Sequence, residues 1–350
     1  MPSLSEIVDV VIGVDTHVET HTAAVVDART GAVLDELTVP TTPEGYQDLV
    51  DLADAHSMLR VWAVEGTGGH GAGLARHLCR GEEVVHELDR PERAQRRHGA
   101  KSDPLDAVRA AREAISRPLL GTPRAGGDRQ ALSVLLAARR SAVEASTVAQ
   151  RQLFSLVIAA PEPLRDRLRG KRLPEMVKIA ARLRVQPGWD TETATTATTL
   201  RTLARRAQSL TAEAADLEKQ ILTLVRSWRP DLLAQPGVGP ITAAIILCAW
   251  SHPGRVRSEA AFAMLAGAAP IPATSGQVTT RYRLNRHGDR QLNRALATIA
   301  ISRQRYHQTT KAYTLRRTAD GKTPREIRRC LKRYIARDLF RLLEHGPSTA

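Results

Sequence analysis

Four carboxylates stand out in a chain that otherwise favours cations. Asp15 closes the run "VDVVIGVD", Glu65 closes "VWAVE", and Asp103 and Asp106 lie three positions apart in "KSDPLDA". Carboxylate oxygens are the hard ligands that magnesium takes, and two such ions about 4 Å apart can clamp the attacking and leaving oxygens of a phosphodiester. Asp15, Glu65, Asp103 and Asp106 are therefore the candidate metal ligands. Local structure explains part of the same pattern. Asp103 reads as a helix N-cap, Pro104 as the first helical residue and Asp106 as the third-position acid of a capping box.

For these acids to act together, strand ends and a helix start must converge. "VDVVIGVD", "THTAAVVDA" and "AVLDELTV" are β-branched runs broken by turn residues, and they predict a three-stranded meander. A Thr-Pro start predicts a helix over "TTPEGYQDLVDLADAH". "RVWAVEG" predicts a short buried strand, "GAGLARHLCRG" a helix closed by glycine, "EVVHEL" a further strand, and a helix opens at Asp103. The order β-β-β-α-β-α-β-α predicts a mixed sheet with helices packed on it. Three regions follow: 1–122 around the acids, 123–229 mostly helical, and 230–345.

The helical middle carries a heptad seam of Leu200, Leu203, Ala207, Leu210, Ala214, Leu217, Ile221, Leu224 and Trp228. Such a seam demands a partner helix and predicts a coiled coil. The partner is the weaker helix Leu132 to Leu156 or a second chain. The spacing does not choose between them, and a dimerising stalk is the expectation. After Trp228, "LLAQPGVGPITAAIILCAW" has the pattern of a helix-hairpin-helix, in which the amides of Gly237, Val238 and Gly239 would approach a phosphate.

Charge names the class of partner. The net charge is +14 and the pI about 10.5, but residues 1–89 hold 4 basic against 16 acidic residues, whereas 276–350 hold 18 against 5. An acidic head on a basic body points to nucleic acid. Arg93, Arg96, Arg97 and Lys101 lead into the Asp103 helix, and Arg281, Arg283, Arg286 and Arg290 form a second basic group. The "REIRRCLKRYIARDLFRLL" segment predicts an amphipathic helix with a basic face. Aromatics are 3% of the chain, so phosphate contact outweighs base stacking as a binding mode. Three distant cysteines, Cys79, Cys248 and Cys330, exclude a disulfide framework and fit a reducing cytoplasm. The longest apolar run, "ITAAIILCAW", is about half the roughly 20 residues a membrane helix needs, and the N-terminus lacks a secretory pattern. A kinase reading fails because "GVDTHVET" lacks phosphate-hairpin glycines, and His17 and His21 lack a third zinc ligand.

"GVDTH", "VEGTG" and "KSDPLDA", together with "LLAQPGVGPITAAIIL" and "LAGAAPIPATSGQVTTRYRLNRHGDRQLNRAL", resemble the insertion-sequence transposases with a DEDD domain, relatives of the Piv-type invertases and, through fold, of RuvC-type resolvases. The resemblance covers nearly the whole chain. One departure is alanine in "AGAAP" where the family often has a larger apolar residue. The resemblance implies an RNase H-like (RuvC-like) N-terminal domain binding Mg2+ and a mainly helical C-terminal transposase domain. It also implies a serine nucleophile, by position Ser275 in the Pro270–Gly276 element. Further implied are double-stranded donor and target DNA, a noncoding bridge RNA, and a dimer or tetramer in which one subunit's acids meet another's serine. The setting implied is bacterial-type cytoplasm, nucleoid-associated. Two other readings stay open: a RuvC-like metal-dependent nuclease that uses water, and a non-catalytic architectural DNA-binding protein.

Overall fold

The computed structural model describes residues 3–88, 103–272, 282–285 and 288–346. The chain divides into two compact units, residues 1–126 and 127–350.

In the first unit a short helix α1 (Leu4–Ile7) leads into strands β1 (Val10–Thr16), β2 (Thr20–Asp27) and β3 (Val33–Pro40). Helix α2 (Pro43–Asp54) follows, with Thr42 as its N-cap accepting from the Gly45 amide at 3.2 Å. Strand β4 (Arg60–Glu65), helix α3 (Ala72–Arg80), strand β5 (Val85–Leu88) and helix α4 (Asp103–Ser116) complete the unit. The sheet order is β3-β2-β1-β4-β5, with the meander antiparallel and β1-β4-β5 parallel. This is a mixed α/β sheet, compatible with an RNase H-like domain.

Alternation along β1 and β4 splits the core in two, because successive strand residues face opposite sides of a sheet. Val11, Val61 and Ala63 join Ala107, Val108, Ala110 and Ala111 of α4 on one face. Ile12, Val14, Trp62 and Val64 join Leu49 of α2 and Leu74 and Leu78 of α3 on the other. Both faces are buried along β1 and β4, which is why these strands read as continuous apolar runs. At the start of β4 the buried Arg60 is paired with Glu83 and Asp54, and Trp62 Nε1 donates to Glu83 at 2.8 Å.

The second unit begins with two long helices, α5 (Gly127–Ala159) and α8 (Thr191–Trp228), linked through α6 (Glu162–Leu168) and α7 (Leu173–Ala180). They run antiparallel. Arg139 donates to Glu218 at 2.8 Å, and further along Ser146 Oγ donates to the Ala207 carbonyl at 3.1 Å. Leu200, Ala207, Ala214 and Ile221 of the heptad seam are buried, and Leu203, Leu210, Leu217, Leu224 and Trp228 are half-buried. Within this chain, the seam is covered by α5.

Next come α9 (Pro230–Leu233), α10 (Pro240–Trp250), α11 (Glu259–Leu265), the two-stranded hairpin β6 (Pro270–Pro272) and β7 (Tyr282–Leu284), α12 (Arg290–Tyr306), α13 (Gln308–Ala319) and α14 (Pro324–His345). The C-terminal helices share one core with the base of the α5–α8 pair, through Leu132, Ile221 and Val225. A separate core holds the far end, where α6 and α7 pack between α5 and α8 around Leu153, Leu164, Leu168 and Leu200. Arg229 ties the end of α14 in place: it donates to the Leu342 and Leu343 carbonyls in the last turn. Among the described residues no helix is long and apolar enough to cross a membrane.

Candidate active site

Asp15 and Glu65 arrive at the same place because their strands are parallel neighbours. Val14 pairs with Val64, and each acid follows by one residue, at the C-terminal end of its strand. Neighbouring strands lie about 4.8 Å apart. Parity then sets the face. Asp15 is two residues past Gly13 and Glu65 two past Ala63, so both acids point to the side on which α4 packs. Thr16 Oγ1 donates to the Glu65 carbonyl at 3.0 Å and ties the two strand ends together.

Helix α4 brings its N-terminus to that end. Its later residue Arg112 donates to the Gly31 carbonyl at 2.9 Å, in the β2–β3 turn beside the start of β1. The helix therefore runs antiparallel to β1, and Asp103 and Asp106 in its first turn lie toward the Asp15 end. Gly13 allows the approach. A Cβ there would meet the Ala107 carbonyl oxygen at 2.1 Å and the Ala111 amide at 2.5 Å, so only glycine lets the helix backbone lie this close to the strand.

Asp15 is buried, at 8% exposure, with His17 Nε2 at 3.2 Å from its Oδ2. Asp106 accepts from Arg109 at 2.8 Å. Asp103 is the first residue of α4, and its side chain is outside the described groups. Among the described residues no three His, Cys, Asp or Glu side chains stand close enough to hold a metal ion. The donor set of four carboxylates nevertheless fits a hard divalent cation, since oxygen ligands suit magnesium. Two residues escaped the sequence reading: Gly13 carried no signal beyond its type and Thr16 none. His17 was weighed only as a zinc ligand and not as the partner of Asp15.

The glycine-rich loop after β4 is closed by its own backbone. It folds over the strand ends: Gly66 has φ +63°, Gly69 N–H donates to the Gly66 carbonyl at 2.7 Å, and a Cβ on Gly71 would meet the Glu65 carbonyl at 2.9 Å. His21 is buried and stacks on Tyr46 with ring centroids 5.7 Å apart; burial lowers its pKa, so it is a neutral packing residue.

In the second unit, β6 and β7 pair antiparallel, Pro272 opposite Tyr282, and so bracket the segment that contains Ser275. Ser275, Arg281 and Arg286 lie outside the described residues, as do Arg93, Arg96, Arg97 and Lys101. Arg283 on β7 and Arg290 at the start of α12 are exposed. At the Pro-Gly-Val-Gly-Pro turn, Gly237 has φ +78° and packs against α12, where a Cβ would meet the Ile299 carbonyl at 3.1 Å. The Val238 amide donates to the Gln235 carbonyl at 3.1 Å, and the Gly239 amide to Thr242 Oγ1 at 2.9 Å.

Comparison with known proteins divides the chain in the same order. Residues 12–159, which contain all four acids, match the DEDD transposase model of the IS110 type. Residues 231–315, which contain Ser275 and the Pro-Gly turn, match the model described as the transposase IS116/IS110/IS902 family. A curated relative, the "Insertion element IS110 uncharacterized 43.6 kDa protein" of Streptomyces coelicolor, is 33% identical over 145 residues, which are 40% of this chain and 36% of that protein. The match thus spans little more than a third of that relative's length.

Proposed function

Because the chain belongs to the DEDD insertion-sequence transposases of the IS110 type, we propose that it is a DNA transposase that cleaves and rejoins strands through Ser275. The observation that carries the reading is the shared end of the first sheet: Asp15 and Glu65 on neighbouring parallel strands, with the first turn of α4 directed to the same end and face. Asp15, Glu65, Asp103 and Asp106 would hold divalent magnesium, which when bound offsets the negative charge that builds on the phosphate.

The protein's own groups divide the remaining work. Ser275 Oγ forms a bond to phosphorus, the strand's bridging P–O bond breaks, the hydroxyl proton leaves to a base and the departing strand oxygen gains one. The phosphoserine ester keeps the energy of the broken bond, and attack on it by a strand hydroxyl reverses the step and rejoins DNA. His17 holds the Asp15 carboxylate, and Thr16 holds the end of β4. Exposed Arg283 and Arg290, with the basic residues of α14, supply phosphate contacts. The helix-hairpin-helix turn, a noncoding bridge RNA and a dimer or tetramer belong to the same proposal, supported by the basic residues of the second unit, while the α8 seam, covered by α5, supports a coiled coil within the chain.

Trapping tests it. The wild type with magnesium and DNA spanning an element end should give a covalent protein–DNA adduct on a denaturing gel. Ser275→Ala should give none, and Asp15→Asn or Asp106→Asn should slow its formation about a hundredfold or more. Normal cleavage by Ser275→Ala without an adduct would make the protein a metal-dependent nuclease instead.

A further inference from the structure

Beside the β6–β7 hairpin the second unit holds a cavity of about 400 Å³ lined by Asn285, Gly288, Arg290, Asn293, Arg329 and Lys332. Four segments contribute: the turn after α11, the turn after β7, α12 and α14. Its floor is a close crossing of two backbones. A Cβ on Gly288 would meet the Gly267 amide nitrogen at 2.4 Å, and Gly267 itself has φ +62°. Neither position accepts a side chain without the two segments parting.

The polar groups around this crossing are braced. Asn293 Nδ2 donates to the Ala266 carbonyl at 2.6 Å, which turns Oδ1 toward Lys332, and Lys332 Nζ donates to that oxygen at 3.0 Å. Asn285 Nδ2 donates to the Met264 carbonyl at 3.0 Å. An ammonium has three protons, so Lys332 retains two for another acceptor.

The charges of the cavity do not balance. Among the described residues its lining has three cations and no carboxylate. The nearest acids along these elements are committed elsewhere: Asp289 accepts from the Gln291 and Leu292 amides, and Glu326 from Thr323 at the start of α14. Burial, helped by the charge of Arg329, pushes the Lys332 ammonium below the usual lysine range. Like charges gathered around a partly desolvated space destabilise the empty form and are relieved by an anion.

The geometry points to a phosphate-binding site: Arg290, Arg329 and Lys332 hold a backbone phosphate of the nucleic-acid strand, with Asn293 as the residue that positions Lys332. Three separate cations suit a tetrahedral oxyanion better than a planar carboxylate, which a single guanidinium fork satisfies. The volume exceeds what a free phosphate needs and leaves room for an attached sugar, which favours a phosphodiester in a strand. The inference rests on the transposase reading, and it adds a substrate anchor within the second unit, beside the hairpin that leads into the Ser275 segment.

Competitive acylation of lysines in the full-length wild type, read by peptide mass, tests it with inorganic phosphate and then with a mixed-sequence DNA duplex. Both should protect Lys332 severalfold, while phosphate should leave exposed Lys219 on α8 unchanged. Lys332→Gln and Arg329→Gln should each weaken duplex binding about tenfold, the scale of one charge-assisted hydrogen bond, and Lys332→Arg should retain it. Unaltered Lys332 labelling in the wild type, or equal protection of Lys219 by phosphate, would overturn the site. The outcomes separate it from the transposase reading. Protection of Lys332 without a serine adduct would sink that reading and leave the anchor, and an adduct without protection would remove the anchor alone.

Discussion

At the scale of single residues, the acids depend on a residue with no side chain. Gly13 lies two positions before Asp15 and on the same face, and it lets Ala107 and Ala111 of α4 touch the strand. Gly13→Val therefore wedges α4 away from β1 and moves the first turn that carries Asp103 and Asp106. The expected cost is about 2–4 kcal/mol in the first unit, from overpacking of a close backbone contact, and it is read as a lower urea midpoint. Adduct formation should fall further than stability alone accounts for, since a displaced carboxylate no longer serves the phosphate. Retention of both would show that α4 does not need this approach.

At the scale of elements, the hairpin of α5 and α8 holds two cores in series, and they should respond separately. Leu200 is fully buried in the distal core, and Leu200→Ala should cost about 2–5 kcal/mol there. Amide exchange should quicken over residues 149–207 while α10, α12 and α14 keep their protection, because their core is the other one. The same hairpin shows what was legible beforehand. The heptad of α8 announced the helix and its apolar face. It did not announce that α5 covers that face, since a seam specifies a need for a partner and not where the partner lies. Runs of β-branched and apolar residues likewise revealed β1, β2 and β4 and marked Asp15 and Glu65 as strand ends. That they should converge was expected, but the geometry was not legible, because it follows from the parallel register of Val14 and Val64 and from the helix approach at Gly13. The sequence marked Arg290 and the basic helix that carries Arg329 and Lys332 but not the cavity they share, since residues more than sixty positions apart build it.

At the scale of the whole molecule, the acidic head and basic body predict how nucleic acid would be held. Residues 276–350 alone carry 18 basic against 5 acidic residues, so duplex affinity should fall linearly with the logarithm of salt, with a slope of several units from counterion release. A slope near zero in a titration from low to physiological salt would remove phosphate contact as the main source of affinity. The join between the two units has a further use. Around Gly126 nothing lies within 4 Å of where a Cβ would stand, and Gly127 has φ +55° at the start of α5. To a protein engineer this is a splice point: an insertion there interrupts neither set of packed side chains. Two separately expressed halves cut at that glycine pair would each inherit a finished interior, one with the four acids and the other with the serine, ready to be recombined in trans.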